Sequence, residues 1–258
     1  MDVFVKLLVC FIAGAGAGIG TGFAGMSAAA VITPLLVTFL EIPAYEAVGI
    51  ALASDVLASA VSAYTYHRNK HLDVRNGLVM MVSVLVFTTV GSYLASLLPN
   101  SAMSSTSAMM TLILGVKFIL KPVMTTKESM EAVSKRKRLI QSVVSGVLIG
   151  LICGFVGAGG GMMMLLILPT VLGYELKCAV GTSVFIMAFT ALTGAASHFV
   201  LGGMPDLLCL VACVVFTLLW ARIAARIANR AQTKTLNRVV GVVLLIISAV
   251  ILLVEYVL

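Results

Sequence analysis

Apolar residues run along this chain in about ten stretches of roughly 14 to 24 residues, parted by short polar links. A helix rises about 1.5 Å per residue, so about 20 residues cross the ~30 Å hydrocarbon core of a bilayer. The stretches lack the period-two alternation of a transmembrane barrel. That leaves a helical bundle, the other structure in which every backbone group is satisfied inside lipid. The pattern predicts segments at 3–22, 26–41, 44–66, 76–98 and 102–121, then at 139–157, 160–173, 178–200, 205–229 and 235–257. The predicted fold class is an all-α integral membrane protein with about ten membrane segments.

The second five segments repeat the first. Gly14, Gly18, Gly22 and Gly25 return as Gly146, Gly150, Gly154 and Gly157, and Ala47-Val48-Gly49 returns as Ala179-Val180-Gly181. Both shifts are 132 residues (154 − 22 and 181 − 49). The chain therefore divides into repeat 1 at 1–121, a basic linker at 122–138 and repeat 2 at 139–258. Glycines at four-residue spacing lay a flat face on which another helix can approach closely. Each series leads into a short helix containing Pro34 or Pro169, which predicts two short helical hairpins with glycine tips. Residues 1–22 superficially match a secretion signal. Their recurrence in mid-chain predicts that they are kept as structure.

Composition removes the soluble alternative, since 61% of residues are hydrophobic and only 10% are charged, where a water-facing domain carries about a quarter. Charge then gives the topology. The net charge is +7, and 16 of the 17 basic residues lie in or beside links on one side, chiefly 68–75, 121–138 and 222–238, with Lys177. Asp2, Glu41, Glu46, Asp206 and Glu255 fall on the other side, with Lys6. Basic links stay cytoplasmic, which predicts a multi-pass protein of the cytoplasmic membrane with both termini outside. Membrane lipids, through anionic headgroups, account for the basic charge, and nucleic acid is not an expected partner. A basic vestibule would also concentrate anions from the cytosol.

Five segments is an odd number, so the second copy enters the membrane upside down. Inverted repeats are an architecture of secondary transporters, in which half-helix N-termini face the substrate near the midplane. Glycine tips would leave backbone N–H groups there, and the helix dipole adds positive potential, so an anion can bind without a buried Lys or Arg. Close helix packing without a ligand is the plainer reading of the same glycines.

At this point the motifs resemble a family. Gly22-Phe23-Ala24-Gly25, Gly154-Phe155-Val156-Gly157-Ala158-Gly159-Gly160-Gly161, Ala179-Val180-Gly181-Thr182-Ser183 and Ser197-His198-Phe199-Val200-Leu201-Gly202-Gly203 resemble the TauE/SafE, or sulfite exporter, family of membrane transporters. The first half departs from the pattern at Met26-Ser27-Ala28-Ala29-Ala30 and at Gly49-Ile50-Ala51. The resemblance covers essentially the whole chain. It implies movement, often outward, of sulfite, sulfoacetate, other organosulfonates or related small anions.

The expected substrate-binding residues are Gly22, Gly25, Ser27 and Thr33 in repeat 1, and Gly154, Gly157, Gly159, Gly160, Gly161, Thr182 and Ser183 in repeat 2. The hydroxyls could donate to an oxyanion or simply bond their own backbone. Asp55 lies inside a span where an ionisable group is expensive, and it aligns with Met187, so the duplicated fold does not require it. It is the candidate site for a coupling proton, against a carboxyl satisfied by Ser54, Ser59 or a neighbouring helix. His198, aligned with Tyr66, is the second coupling candidate, against an interfacial histidine satisfied where it stands. Lys117 is expected to snorkel, and Met162 to Met164 to pack around the hairpin.

Five cysteines scattered through apolar segments make no disulfide framework and read as packing residues. No His cluster with ligand spacing calls for a metal, and no cofactor is expected. No G-x-x-x-x-G-K-S/T motif occurs, which points to a proton or ion gradient rather than ATP. The sequence is read as a transporter rather than an enzyme, with a small anion and a coupling proton or ion as partners. A homodimer is allowed for. A passive anion channel and a sulfur relay using Cys153 are the rival readings.

Overall fold

The computed structural model describes residues 2–95, 112–113, 115–126, 134–156, 160–202 and 204–256, and these are all helix and connecting turns. The helices are α1 (Val3–Ala24), α2 (Ala29–Leu40), α3 (Ala44–Arg68), α4 (Val74–Ala95), α5 (Lys135–Val156), α6 (Gly160–Thr170), α7 (Leu176–Gly202), α8 (Leu207–Arg230) and α9 (Thr233–Tyr256). Residues 115–120 are helical as well. Most of the expected segment 102–121 and residues 127–133 of the linker lie outside the described residues. Among the described residues five helices, α1, α3, α7, α8 and α9, are long and apolar enough to cross a membrane. With 12 and 11 residues, α2 and α6 extend about 18 and 17 Å and fall short of the hydrocarbon core.

The surface is the inverse of a soluble protein's. Phe4, Ile12, Val82, Val86, Val144, Val211 and Leu219 are exposed, while Ser54, Asp55, Ser59, Ser142, Ser145, Thr182, Ser183 and Thr217 are buried. Lipid welcomes the first set, and interior packing must satisfy the second. Ser54 does so within its own helix, donating to the Ile50 carbonyl at 2.8 Å, a bond open to hydroxyls in helices.

Glycine decides which helices lie together. α1 and α8 run parallel, with Gly14 against Phe216 and Thr217, Gly18 against Thr217 and Ala221, and Gly22 against Ala221, Ala224 and Ala225. α5 lies parallel to α4 in the same manner, Gly146 facing Met80 and Ser83 and Gly150 facing Val84, Phe87 and Thr88. Neither pair leaves room for side chains on the glycines. Between them α3 and α7 run antiparallel, Gly49 against His198 and Phe199, Gly194 against Leu52, and Gly181 against Tyr66.

Candidate functional site

α1 stops where Gly25 adopts φ 61, a left-handed conformation that glycine takes without strain, and its N–H returns to the Thr21 carbonyl at 2.9 Å. The chain reverses over the next few residues and starts α2. This turn sits against the middle of α3 and the first third of α7. Gly25 is 3.2 Å, by the position of a built Cβ, from the Cβ and Oγ of Ser183, and the Ser183 hydroxyl donates to the Gly25 carbonyl at 3.0 Å. From the other side Gly161, at the start of α6, meets the same Gly25 carbonyl, the Met187 sulfur and the Met26 backbone. The turn at Gly25 and the start of α6 thus converge.

Asp55 stands eleven residues into α3 (55 − 44), about 16 Å along it, close to the middle of the helix. Its carboxylate is 1% exposed. It accepts from the Ser27 hydroxyl at 2.8 Å and from the Ser59 hydroxyl at 2.8 Å. The Ala29 N–H is bonded to Ser27 Oγ at 3.3 Å. The Ser27 hydroxyl, just before α2, is therefore engaged by a carboxylate of the protein itself. Tyr66, wholly buried, closes the other flank of the turn by donating to the Gly22 carbonyl at 2.9 Å.

The other expected residues are distributed around this centre. Thr33 lies in α2, its hydroxyl oxygen buried with no hydrogen-bond partner among the described residues. Gly154 falls in α5 and Gly160 opens α6, while Gly157 and Gly159 lie outside the described residues. Thr182 faces the basic end of the bundle, where its oxygen accepts from the Asp73 N–H at 3.3 Å. His198 lies at the opposite end, its Nδ1 3.0 Å from the Tyr45 carbonyl and its ring 4.2 Å from the Tyr45 ring. Tyr45 is one residue into α3, so His198 stands far from Asp55 along that helix.

Sequence reasoning missed the polar knots at the two ends. At the basic end Asp73 accepts from Tyr174 Oη at 2.9 Å and from Asn76 Nδ2 at 2.7 Å, with Arg138 Nη1 at 3.7 Å and lying over the Tyr174 ring. Burial, with Asp73 alongside, pushes the Tyr174 phenol up, so it remains a donor. At the far end Lys6 Nζ is 2.5 Å from Asp206 Oδ2, and Glu46 accepts from the Asp206 N–H at 2.7 Å. The Lys6 hydrogen bond, joined by the N–H groups of Cys209 and Leu208, keeps the Asp206 carboxyl below the usual carboxylate range. A signal existed in the sequence. Lys6 and Arg138 are 132 residues apart, and Asp73 and Asp206 each sit immediately before a helix, where an acid caps exposed N–H groups.

The whole arrangement falls within a known pattern. Residues 10–251 match the family model described as "Sulfite exporter TauE/SafE". The chain is 23% identical over 201 residues to "Probable membrane transporter protein YdhB" of Bacillus subtilis, covering 78% of this chain and 82% of that protein. It is 21% identical over 264 residues to "Probable membrane transporter protein YunE" of the same organism, covering 95% and 96%. A "Probable membrane transporter protein" of Haemophilus influenzae is 27% identical over 207 residues, covering 78% and 76%.

Proposed function

Since the chain belongs to the TauE/SafE, or sulfite exporter, family of membrane transporters, we propose that it is a proton-coupled secondary transporter of a small sulfur oxyanion such as sulfite, sulfoacetate or another organosulfonate. Residues 1–121 and 139–258 form two inverted repeats joined by the cytoplasmic linker 122–138, and both termini face outside. Outward movement is the direction the family description names.

The observation that carries this reading is the convergence of the Gly25 turn and the start of α6, Gly161 on Gly25 and Ser183 on the Gly25 carbonyl, beside the middle of α3 and the first half of α7. Two half-helices meeting at mid-depth suit an anion site with access from alternate sides. Reciprocal packing supports the inverted repeats. Gly49 touches His198 and Gly181 touches Tyr66, and these residues exchange on adding 132 (49 + 132 = 181, 66 + 132 = 198). In the same way α1 lies on α8 while its copy α5 lies on α4. Contacts of that form, i with j and j with i, are what a two-fold relation produces.

The anion would sit between the turns on donors from the start of α2, Ser27 among them, and from the start of α6. Binding to the folded state stabilises it by RT ln(1 + [L]/Kd), about 2.7 kcal/mol at a hundredfold excess over Kd. Sulfite, sulfoacetate and methanesulfonate are therefore expected to raise the thermal unfolding midpoint of the purified protein in detergent, beyond the effect of chloride at equal ionic strength. A midpoint that no sulfur oxyanion moves counts against the assignment.

A further inference from the structure

Resting on that reading, we infer that the proton and the anion occupy the protein together, so that Asp55 makes the transporter a proton–anion symporter. The Ser27 hydroxyl, a donor an oxyanion would use at the start of α2, is already in use, 2.8 Å from the Asp55 carboxylate. An incoming anion competes with that carboxylate for the same group.

Among the described residues no cation is at hand to let both negative charges stay. α2 carries no ionisable side chain. On α1, Lys6 is bonded to Asp206 and Cys10 packs in the core. On α7, Lys177 donates to the Asn229 carbonyl at 3.0 Å, Cys178 belongs to a separate core cluster and His198 is on Tyr45. On α8, Arg222, Arg226 and Arg230 are exposed, and Cys209 and Cys213 are buried thiols. On α3 itself, Glu46 holds the Asp206 N–H, Tyr66 holds the Gly22 carbonyl, and Tyr45, Tyr64, His67 and Arg68 are exposed. A second buried negative charge among neutral donors is prohibitively costly in this medium. Protonation of Asp55 removes the conflict. The proton comes from the water on the side where the site is open, the anion takes the freed donor, and the buried charge stays at one. Release on the far side returns the proton to water and the carboxylate to Ser27 and Ser59. For a monoanion the cycle moves no net charge, and export then runs on the cytosolic anion concentration against an inward proton gradient.

The test uses proteoliposomes with an internal pH dye, voltage clamped by potassium and valinomycin, and sulfite and methanesulfonate as probes. Influx of methanesulfonate is expected to acidify the lumen with one proton per anion, at a rate independent of voltage. The apparent Kd weakens about tenfold per pH unit above the titration of the carboxyl, because one proton is linked to one anion. In Asp55→Asn the exchange of labelled methanesulfonate loses this pH dependence and carries no protons. Because that variant could fold poorly, the proton count on the unaltered protein decides by itself. Anion influx with no proton, or with protons leaving, overturns symport and leaves transport standing. Failure of both probes to move overturns the transport reading and the symport with it.

Discussion

Gly18→Val is expected to keep the protein from accumulating in folded form. A Cβ at this position comes within 2.5 Å of the Thr217 carbonyl oxygen and 2.8 Å of both the Ala221 nitrogen and Trp220 Cβ. Two of these are backbone atoms of α8, which cannot turn aside as a side-chain tip can. The helices must part along the interface that Gly14 and Gly22 also line. In lipid, where close backbone approach rather than the hydrophobic effect joins helices, that separation removes the source of the association. Overpacking of a rigid site costs ~3 kcal/mol, and valine adds a branched methyl pair beyond the Cβ. Gly16→Ala is the control. Its Cβ would be 3.2 Å from a Val31 methyl alone, a contact that a small side-chain shift relieves, and its midpoint should stay within a few degrees of the parent. Thermal unfolding in detergent and yield in the membrane fraction read both variants.

Gly161→Ala should act on the site rather than on the bundle. The added methyl would lie 2.4 Å from the Gly25 carbonyl oxygen and 2.5 Å from the Met187 sulfur. Methionine can turn away, but the carbonyl belongs to a turn fixed by Gly25 at φ 61 and by the Ser183 hydroxyl. The start of α6 and the Gly25 turn are pushed apart by about an ångström, and misplacement of that size in a binding constellation costs on the order of a hundredfold in rate. Transport of sulfite is expected to fall at least tenfold while the unfolding midpoint changes little. Combining it with Met187→Ala removes the clash with sulfur and leaves the clash with the carbonyl. The double variant should therefore remain impaired, and full recovery would assign the defect to Met187.

Local rules made much of the fold readable. Helix positions followed from unbroken apolar runs, and the turn at Gly25 followed from a glycine between a long and a short stretch. The 132-residue shift marked Gly14 and Gly18, like Gly146 and Gly150, as a face for a closely packed helix, and each pair has one. The partner's identity was another matter, since α1 packs on α8, some 200 residues away. The site divides along the same line. Ser59 lies four residues after Asp55 on one helix face, so that bond was open to sequence reasoning. Ser27 comes from another helix, and only tertiary packing brings its hydroxyl to Asp55. Thr182, read as a substrate ligand, accepts from the Asp73 N–H, because the loop after α3 folds over Gly181, whose Cβ position lies against the His71 carbonyl. Nothing periodic in residues 69–73 announces that contact. His198 matched Tyr66 in the alignment of halves, yet Tyr66 reaches a turn carbonyl while His198 reaches only the end of α3. Equivalent positions in a duplicated chain need not keep equivalent chemistry.

The central claim, that this chain carries a small sulfur oxyanion across the membrane by alternating access, is tested most directly by flux. Labelled sulfite and sulfoacetate would be followed into proteoliposomes with and without an imposed pH gradient, the membrane voltage being set independently. The account predicts saturable uptake that rises above the external concentration while the gradient lasts and collapses with it. Flux that only runs down the anion's own gradient, follows voltage and does not saturate would contradict it and identify a passive channel.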